Sequence, residues 1–437
     1  ISVGTMSRYI DVLDANEWMA AFKQGLENAN AWQGRNFTTD LSQIFTDPEL
    51  FNPDGTPKYN TNWQKEASRT AISHNHQLSI QRRMNNASTG AFLNYTDQQG
   101  ILRNTYFKRL NAKLAYDDKP TNWLSTSVNL LVNHTWGNRT SDNPYGLGAL
   151  RTIVEQLTFL PVKLADGTYA QTNNIRTTAI PIDKDNPSGP TQGFQPEGVG
   201  NPVELLERIQ AMQYRTQIFG NAALTFHLTK DLELKTQFGV DYHNNRAKNY
   251  TPFTPRPLIN QNAEGSASAS HASTFYWQEE TYLTYKKLIN KHSINAMAGM
   301  SWQENIYDYF SASDSRYVDD YFGFYNMGRG TNRPSVGSDY DKWAMNSYFF
   351  RAAYAYDRTY MATLTGRYDG SSKFGPNNKY GFFPSLGLGW MISNENFMKN
   401  LNAISRLKLH TSLGVTGNSE IGTYASLARI GQSNTII

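Results

Sequence analysis

The sequence predicts an all-β fold, a membrane-spanning antiparallel β-barrel. Three observations point there: strict apolar–polar alternation over long stretches, connections that are alternately short and long, and aromatic residues gathered at strand ends. The clearest unit sets Leu224, Phe226 and Leu228 against Ala223, Thr225 and His227. After Thr229-Lys230-Asp231 the pattern resumes, with Leu232, Leu234, Thr236, Phe238, Val240 and Tyr242 opposing Glu233, Lys235, Gln237, Gly239 and Asp241. Successive side chains of a strand point to opposite faces, so this is a hairpin with one apolar face and one polar face.

Thirteen strands are expected, near 1–10, 71–82, 90–96, 105–116, 123–134, 213–228, 232–246, 274–286, 292–308, 345–356, 360–370, 382–392 and 406–416. In the fourth and fifth, Leu110, Ala112, Leu114 and Tyr116 lead into a turn at Asp117–Asn122, and Leu124, Thr126, Val128, Leu130 and Val132 lead out. In the ninth, Ile294, Ala296, Ala298, Met300 and Trp302 oppose Ser293, Asn295, Met297, Gly299 and Ser301. Tyr348, Phe350, Ala352, Tyr354 and Tyr356 enter Asp357-Arg358-Thr359, and Tyr360, Ala362, Leu364 and Gly366 leave it. The last strand sets Leu407, Leu409, Thr411, Leu413 and Val415 against Arg406, Lys408, His410, Ser412 and Gly414.

The connections decide between a soluble sandwich and a membrane barrel. Those at 83–89, 117–122, 229–231, 287–291, 357–359 and 393–405 are mostly short, and they alternate with those at 11–70, 97–104, 135–212, 247–273, 309–344 and 371–381, of which four are long. Short turns on one side and long loops on the other are the mark of an outer-membrane barrel. Tyr116, Trp123, Tyr285, Tyr356, Tyr360 and Trp390 stand beside the short turns, where an interfacial girdle would lie. The apolar face is therefore read as lipid-facing and the polar face as lumenal. Asn16–Gly25, Pro202–Met212 and Asn394–Leu401 carry helical patterns, so some connections fold locally. Asn52-Pro53-Asp54-Gly55 and Asp185-Asn186-Pro187-Ser188-Gly189 are turn chemistry in exposed loops.

Composition narrows the function. With no cysteine there is no disulfide scaffold, thiolate metal site or cysteine nucleophile. Forty-one basic against 37 acidic residues leave a net charge of +4, too small and scattered for a nucleic-acid surface. No run of 18 apolar residues supplies a transmembrane helix. Ile1 opens the chain without a signal peptide, and an odd strand number does not close antiparallel, so a mature product or a fragment of a larger barrel is expected.

One set of residues resembles a known family. Arg367-Tyr368-Asp369-Gly370-Ser371-Ser372-Lys373-Phe374-Gly375, then Tyr380-Gly381-Phe382-Phe383-Pro384-Ser385, Gly389-Trp390 and Thr416-Gly417-Asn418, are similar to motifs of the SusC/RagA family of TonB-dependent transporters. Val12-Leu13-Asp14-Ala15, Asn62-Trp63-Gln64 and Asp97-Gln98-Gln99-Gly100-Ile101-Leu102 resemble segments early in that family's barrel. The resemblance implies residues 1–437 are part of an outer-membrane barrel of about twenty-two strands, with the plug, N-terminal extension and last strands outside this sequence. It further implies a SusD-like lipoprotein lid, energy from TonB with ExbB and ExbD, import of glycans or oligopeptides, and a dimer of transporter–lid pairs. A passive porin, an extracellular all-β binding protein and a transporter-fold scaffold subunit of an envelope complex are the alternatives.

No catalytic constellation is present, and no enzyme activity, cofactor or metal is expected. Gly323–Gly328 followed by Arg329 lacks the Lys and Ser/Thr of a phosphate loop, and Gly387-Leu388-Gly389 lacks the third glycine of a dinucleotide loop. His74 and His76 share a strand face and would ligate a metal given a third partner; without one they read as polar positions of the lumen wall. Asp183-Lys184-Asp185-Asn186 has calcium-loop character, broken by Pro187 and Ser188. Loop aromatics such as Trp32, Trp63, Phe324 and Trp343 either grip a sugar or peptide or pack a folded loop, packing being the commoner use for any one of them; the ligand-contact candidates are Tyr317, Asp319, Asp320, Tyr321, Phe322 and Tyr325. In the family motif Arg367 and Asp369 are read as inward residues that pair with each other or with the plug, beside the tight loop that Gly370 and Ser371 permit.

Overall fold

The computed structural model describes residues 1–139, 148–172, 175, 177–178, 180–186, 188–189, 191–192, 199–253, 265–317, 319–398 and 403–427. Its strands are β1 (Ser2–Gly4), β2 (Ala71–Arg83), β3 (Ala87–Gln99), β4 (Tyr106–Thr121), β5 (Leu124–Asn138), β6 (Ile180–Pro181), β7 (Thr191–Gln192), β8 (Gln210–His227), β9 (Leu232–Thr251), β10 (Ser266–Ile289), β11 (His292–Ser315), β12 (Ser335–Tyr356), β13 (Tyr360–Ser371), β14 (Tyr380–Met391) and β15 (Lys408–Gly414). All except β6 and β7, which pair with each other, join one 13-stranded antiparallel meander in which every strand lies beside its chain neighbours.

The alternation of connections is realised. Two to four residues join β2 to β3, β4 to β5, β8 to β9, β10 to β11 and β12 to β13. Asn290, Asp357 and Arg358 take left-handed φ values of 50°, 50° and 55° to make two of these reversals. A register shift between Asp118 and Thr121 brackets Pro120, which has no N–H to give the ladder. At the β14–β15 turn, Tyr360 and Trp390 donate to the Glu395 carboxylate at 2.6 and 2.9 Å. The Tyr360 hydroxyl first, and the indole second, hold that carboxyl below the usual range.

Several expectations are corrected. β10 and β11 each run 24 residues and β12 runs 22, longer than the alternation suggested. At about 3.4 Å per residue and a tilt near 45°, 24 residues rise roughly 55 Å, about twice the apolar band of an outer membrane. Most of the added length lies at the upper ends, where Ser266, Ser268, Ser270, Ser311 and Ser313 are interleaved with Ala267, Ala269 and Ala312 and give little apolar contrast. The first strand shrinks to three residues paired with Ala71–Ser73. Residues 392–398 form two 3-10 turns in place of the α-helix expected over 394–401, and 399–402 lie outside the described residues.

The longest connections fold together. Helix α1 (Ala15–Gln33) outruns the expected Asn16–Gly25 because it is capped at both ends. Asp14 and Glu17 form a capping box, and Gly34 closes the helix at φ 64°. With α2 (Leu41–Ile44), Trp63 of α3 (Trp63–Ala67) and Val203 of α5 (Pro202–Arg208), it packs into one apolar cluster, and α4 (Ala149–Glu155) packs on Ala67 and Leu206 in a second. Phe45, Phe51, Phe159 and Leu160 are almost fully buried in the first, and the Trp63 indole donates to Leu157 O at 2.9 Å. These connections thus form a packed extracellular domain, with the turns at Asn52, Pro53 and Asp54 and at Asp185 and Asn186 exposed at its surface, as their turn chemistry implied.

Candidate ligand-facing mouth and lumen

The two faces of the meander differ as their sequence alternation requires. Leu78, Leu114, Leu130, Phe238, Leu283, Phe350, Leu364 and Leu386 lie on one face, each more than a third exposed. Such a continuous apolar surface is stable only against lipid. Polar groups interrupt it in places: Glu279 accepts from Thr236 and Thr281 at 3.1 and 2.5 Å.

The opposite face carries linked polar side chains. The Tyr276 hydroxyl lies 2.8 Å from Gln278 Oε1 and 2.7 Å from Gln303 Oε1, Gln278 donates to Glu280 at 2.8 Å, and Gln237 donates to the same carboxylate at 2.5 Å. Further round the wall, Asn75 bridges Asn94 and Thr96. The result is a hydrophilic lining held in place by its own hydrogen bonds.

The family-motif residues act as a staple on this wall. Arg367 donates to Asp369 at 2.6 Å and to Ser347 at 2.9 Å, and lies over the Phe349 ring. A Cβ on Gly370 would stand 2.2 Å from the Tyr380 ring, and one on Gly417 would stand 2.3 Å from Phe383. Ser372 ties the 372–379 loop to β12 through two 2.9 Å bonds with Ala344, and Lys373 caps Trp343 at 5.2 Å. Lys373 N is 3.3 Å from Ser371 Oγ and Phe374 N is 3.4 Å from Ser371 O, while Gly375 O accepts from Asn378. Pro384 pairs with Gly366, Ser385 Oγ lies 2.6 Å from Thr365 Oγ1, and Asn418 accepts from Glu420 N.

The six ligand-contact candidates divide in two. Tyr317 is buried and donates to Met327 O at 3.1 Å, and Asp319 accepts from Tyr321 N. Asp320 accepts from the Tyr250 hydroxyl at 2.6 Å and from Arg208 at 2.7 Å. These three hold the loop, whereas Tyr321 and Tyr325, 86% and 79% exposed, and Phe322 present rings to solvent. Lys248 lies 4.9 Å over Tyr325 and Arg329 lies 5.1 Å over Phe322. An aromatic tip backed by cations can take a planar or ring-bearing solute.

Arg208, Glu204, Gln171 and Tyr250 escaped the sequence reading. Glu204, 2% exposed, accepts from Arg208 at 3.0 Å and from Gln171 at 2.9 Å, joining the extracellular domain to the aromatic loop. The signal was the Asn201-Pro202 helix start with Glu204 and Arg208 four apart, where Asn201 accepts from Val203 N and Glu204 N. Nearby, the Tyr169 hydroxyl is pushed up to about 12 by burial and by its 2.7 Å bond to Glu207.

One expectation is corrected, the placing of His74 and His76 on the lumen wall. His74 and His76 lie on the outer face with Leu78 and Ile80, because their parity matches those apolar residues rather than Asn75 and Gln77. Asn36 donates to Asp183 and Asp185 at 2.6 and 3.0 Å, and Lys184 takes Asp185, whose carboxyl it holds below the usual range. These carboxylates accept from Asn36 and Lys184, and Pro187 lies outside the described residues. No cluster of three metal-ligating side chains occurs among the described residues.

Fold, lipid-facing belt and polar lining together define an outer-membrane β-barrel. No family model matches the chain. It is 27% identical over 435 residues to the TonB-dependent receptor SusC of Bacteroides thetaiotaomicron, covering 96% of this chain and 38% of that protein. TonB-dependent receptor P39 of Formosa agariphila is 35% identical over 218 residues, covering 49% of this chain and 20% of the relative. Receptor P3 of the same organism is 28% identical over 383 residues, covering 86% and 36%. The chain thus spans well under half the length of the curated relatives it matches. The RagAB peptide importer in its closed-closed state superposes with a TM-score of 0.66 at 21% identity, covering 97% of this chain and 47% of that one. The chain is thus similar in sequence to TonB-dependent receptors, SusC among them, and similar in fold to the RagAB importer.

Proposed function

We propose that the chain forms the wall and extracellular mouth of an active outer-membrane importer for glycans or oligopeptides, lidded by a SusD-like lipoprotein and driven by TonB. The reading is supported above all by the self-bonded polar lining around Gln237, Tyr276, Gln278, Glu280 and Gln303 facing opposite the lipid belt. Tyr321, Phe322 and Tyr325 are the residues proposed to meet the solute first, with Tyr317, Asp319 and Asp320 as their support. Uptake by cells lacking the native gene and complemented with the full-length protein tests the proposal. Complementation restores growth on a glycan or peptide mixture only when TonB is intact, and Tyr321→Ala with Tyr325→Ala weakens growth at limiting solute. Uptake that persists without TonB replaces this reading with that of a passive porin, and no uptake at all favours a scaffold role.

A further inference from the structure

The outer face carries a ladder of rings, with Lys108 beside it, that passage through the lumen does not use. His74 and His76 on β2 have ring centroids 5.0 Å apart, His74 and Tyr95 6.0 Å, Tyr95 and Trp136 6.4 Å, and Trp136 and His134 5.2 Å. Three of the chain's eight histidines thus meet on one patch. Lys108 joins it across the ladder, 3.0 Å from Asp97, while Asp97 lies 4.0 Å from His74. His74 Nδ1 and Asp97 Oδ1 are buried with no hydrogen-bond partner, so the patch is a polar site short of a partner. The metal reading fails here because Lys108 already occupies Asp97.

Height selects the occupant. His74 is nine residues above the lower end of β2 and Asp97 ten above that of β3, roughly 23 Å after allowing for strand rise and tilt. That is the level of the outer-leaflet headgroups, directly above Leu78, Leu93 and Leu114. We propose that this patch binds the phosphorylated sugar headgroup of an outer-leaflet glycolipid, with Lys108, His74 and His76 toward phosphate and Trp136 and Tyr95 against the sugar face.

The test uses purified full-length protein in detergent, with lipid A in its phosphorylated and dephosphorylated forms as probes and native mass spectrometry as readout. The phosphorylated form binds more tightly, and His74→Gln with His76→Gln reduces that preference about tenfold, the order expected for losing two headgroup-facing hydrogen bonds. A Lys108→Gln, Asp97→Asn pair, which removes both members of the ion pair, gives the same loss, and unchanged heat-modifiable gel mobility certifies the fold of each variant. Equal binding of the two lipids, or variants that bind like the parent, overturns the proposal. Displacement of bound lipid by millimolar inorganic phosphate also overturns it, by identifying a site for the free ion.

Discussion

At Asp320 one carboxylate decides whether the aromatic loop is held. It accepts from Tyr250, Arg208 and Phe253 N, and its side chain is only 20% exposed. Asp320→Ala leaves the Tyr250 hydroxyl without that acceptor and removes one of the partners of Arg208. The expected cost is about 1–3 kcal/mol, the range for stranding buried donors. It should appear as faster hydrogen exchange over 319–329 with unchanged exchange in β13 and β14; equal protection would show that Asp320 does not hold the loop. Arg208→Met combined with Asp320→Ala should cost less than the sum of the single changes, since each removes the other's partner. The sequence brought Asp320 to notice but not its role, because its partners lie 70 and 112 residues away.

Elements were more legible than contacts, and for a physical reason. A strand between lipid and water must alternate, so Leu232–Tyr242 and Tyr348–Tyr356 declare both strand and face. The upper halves of β10 and β11 have no lipid to meet and therefore no such code. Parity also exposes the misreading of His74 and His76, since Leu78 and Ile80 set their face. Leu364, 45% exposed, and Thr363 are neighbours on β13 that point opposite ways. Leu364→Arg should destabilise barrel assembly by about 2–4 kcal/mol if its depth is near the bilayer midplane, while Thr363→Arg places its charge in the lumen and assembles normally. Urea titration in vesicles separates the two, and equal behaviour would reverse the face assignment.

Across the whole molecule, two kinds of cohesion coexist. The meander is held by neighbour-to-neighbour backbone pairing around the lumen, with its apolar side given to lipid. The extracellular domain instead has a true core, in which Trp18 meets Phe159 at 5.1 Å, and Phe45 meets Phe51 at 4.9 Å and Phe22 at 5.4 Å. Sequence could not show that core, because its members come from connections separated by the strands β2 to β5. A water-facing body with its own core unfolds by losing buried apolar area, whereas the lipid-supported ladder does not depend on that area. Heating the full-length protein in detergent should therefore give two transitions, the lower one belonging to the domain. Phe159→Ala, at a fully buried position, should lower that transition alone, at a cost of about 3–5 kcal/mol. Proteolysis would then cut within 5–70 and 139–209 at temperatures where heat-modifiable mobility still reports a folded barrel. A single transition that shifts as a whole would mean that the mouth and the wall fold as one unit, and that the packing of the mouth is felt through every strand.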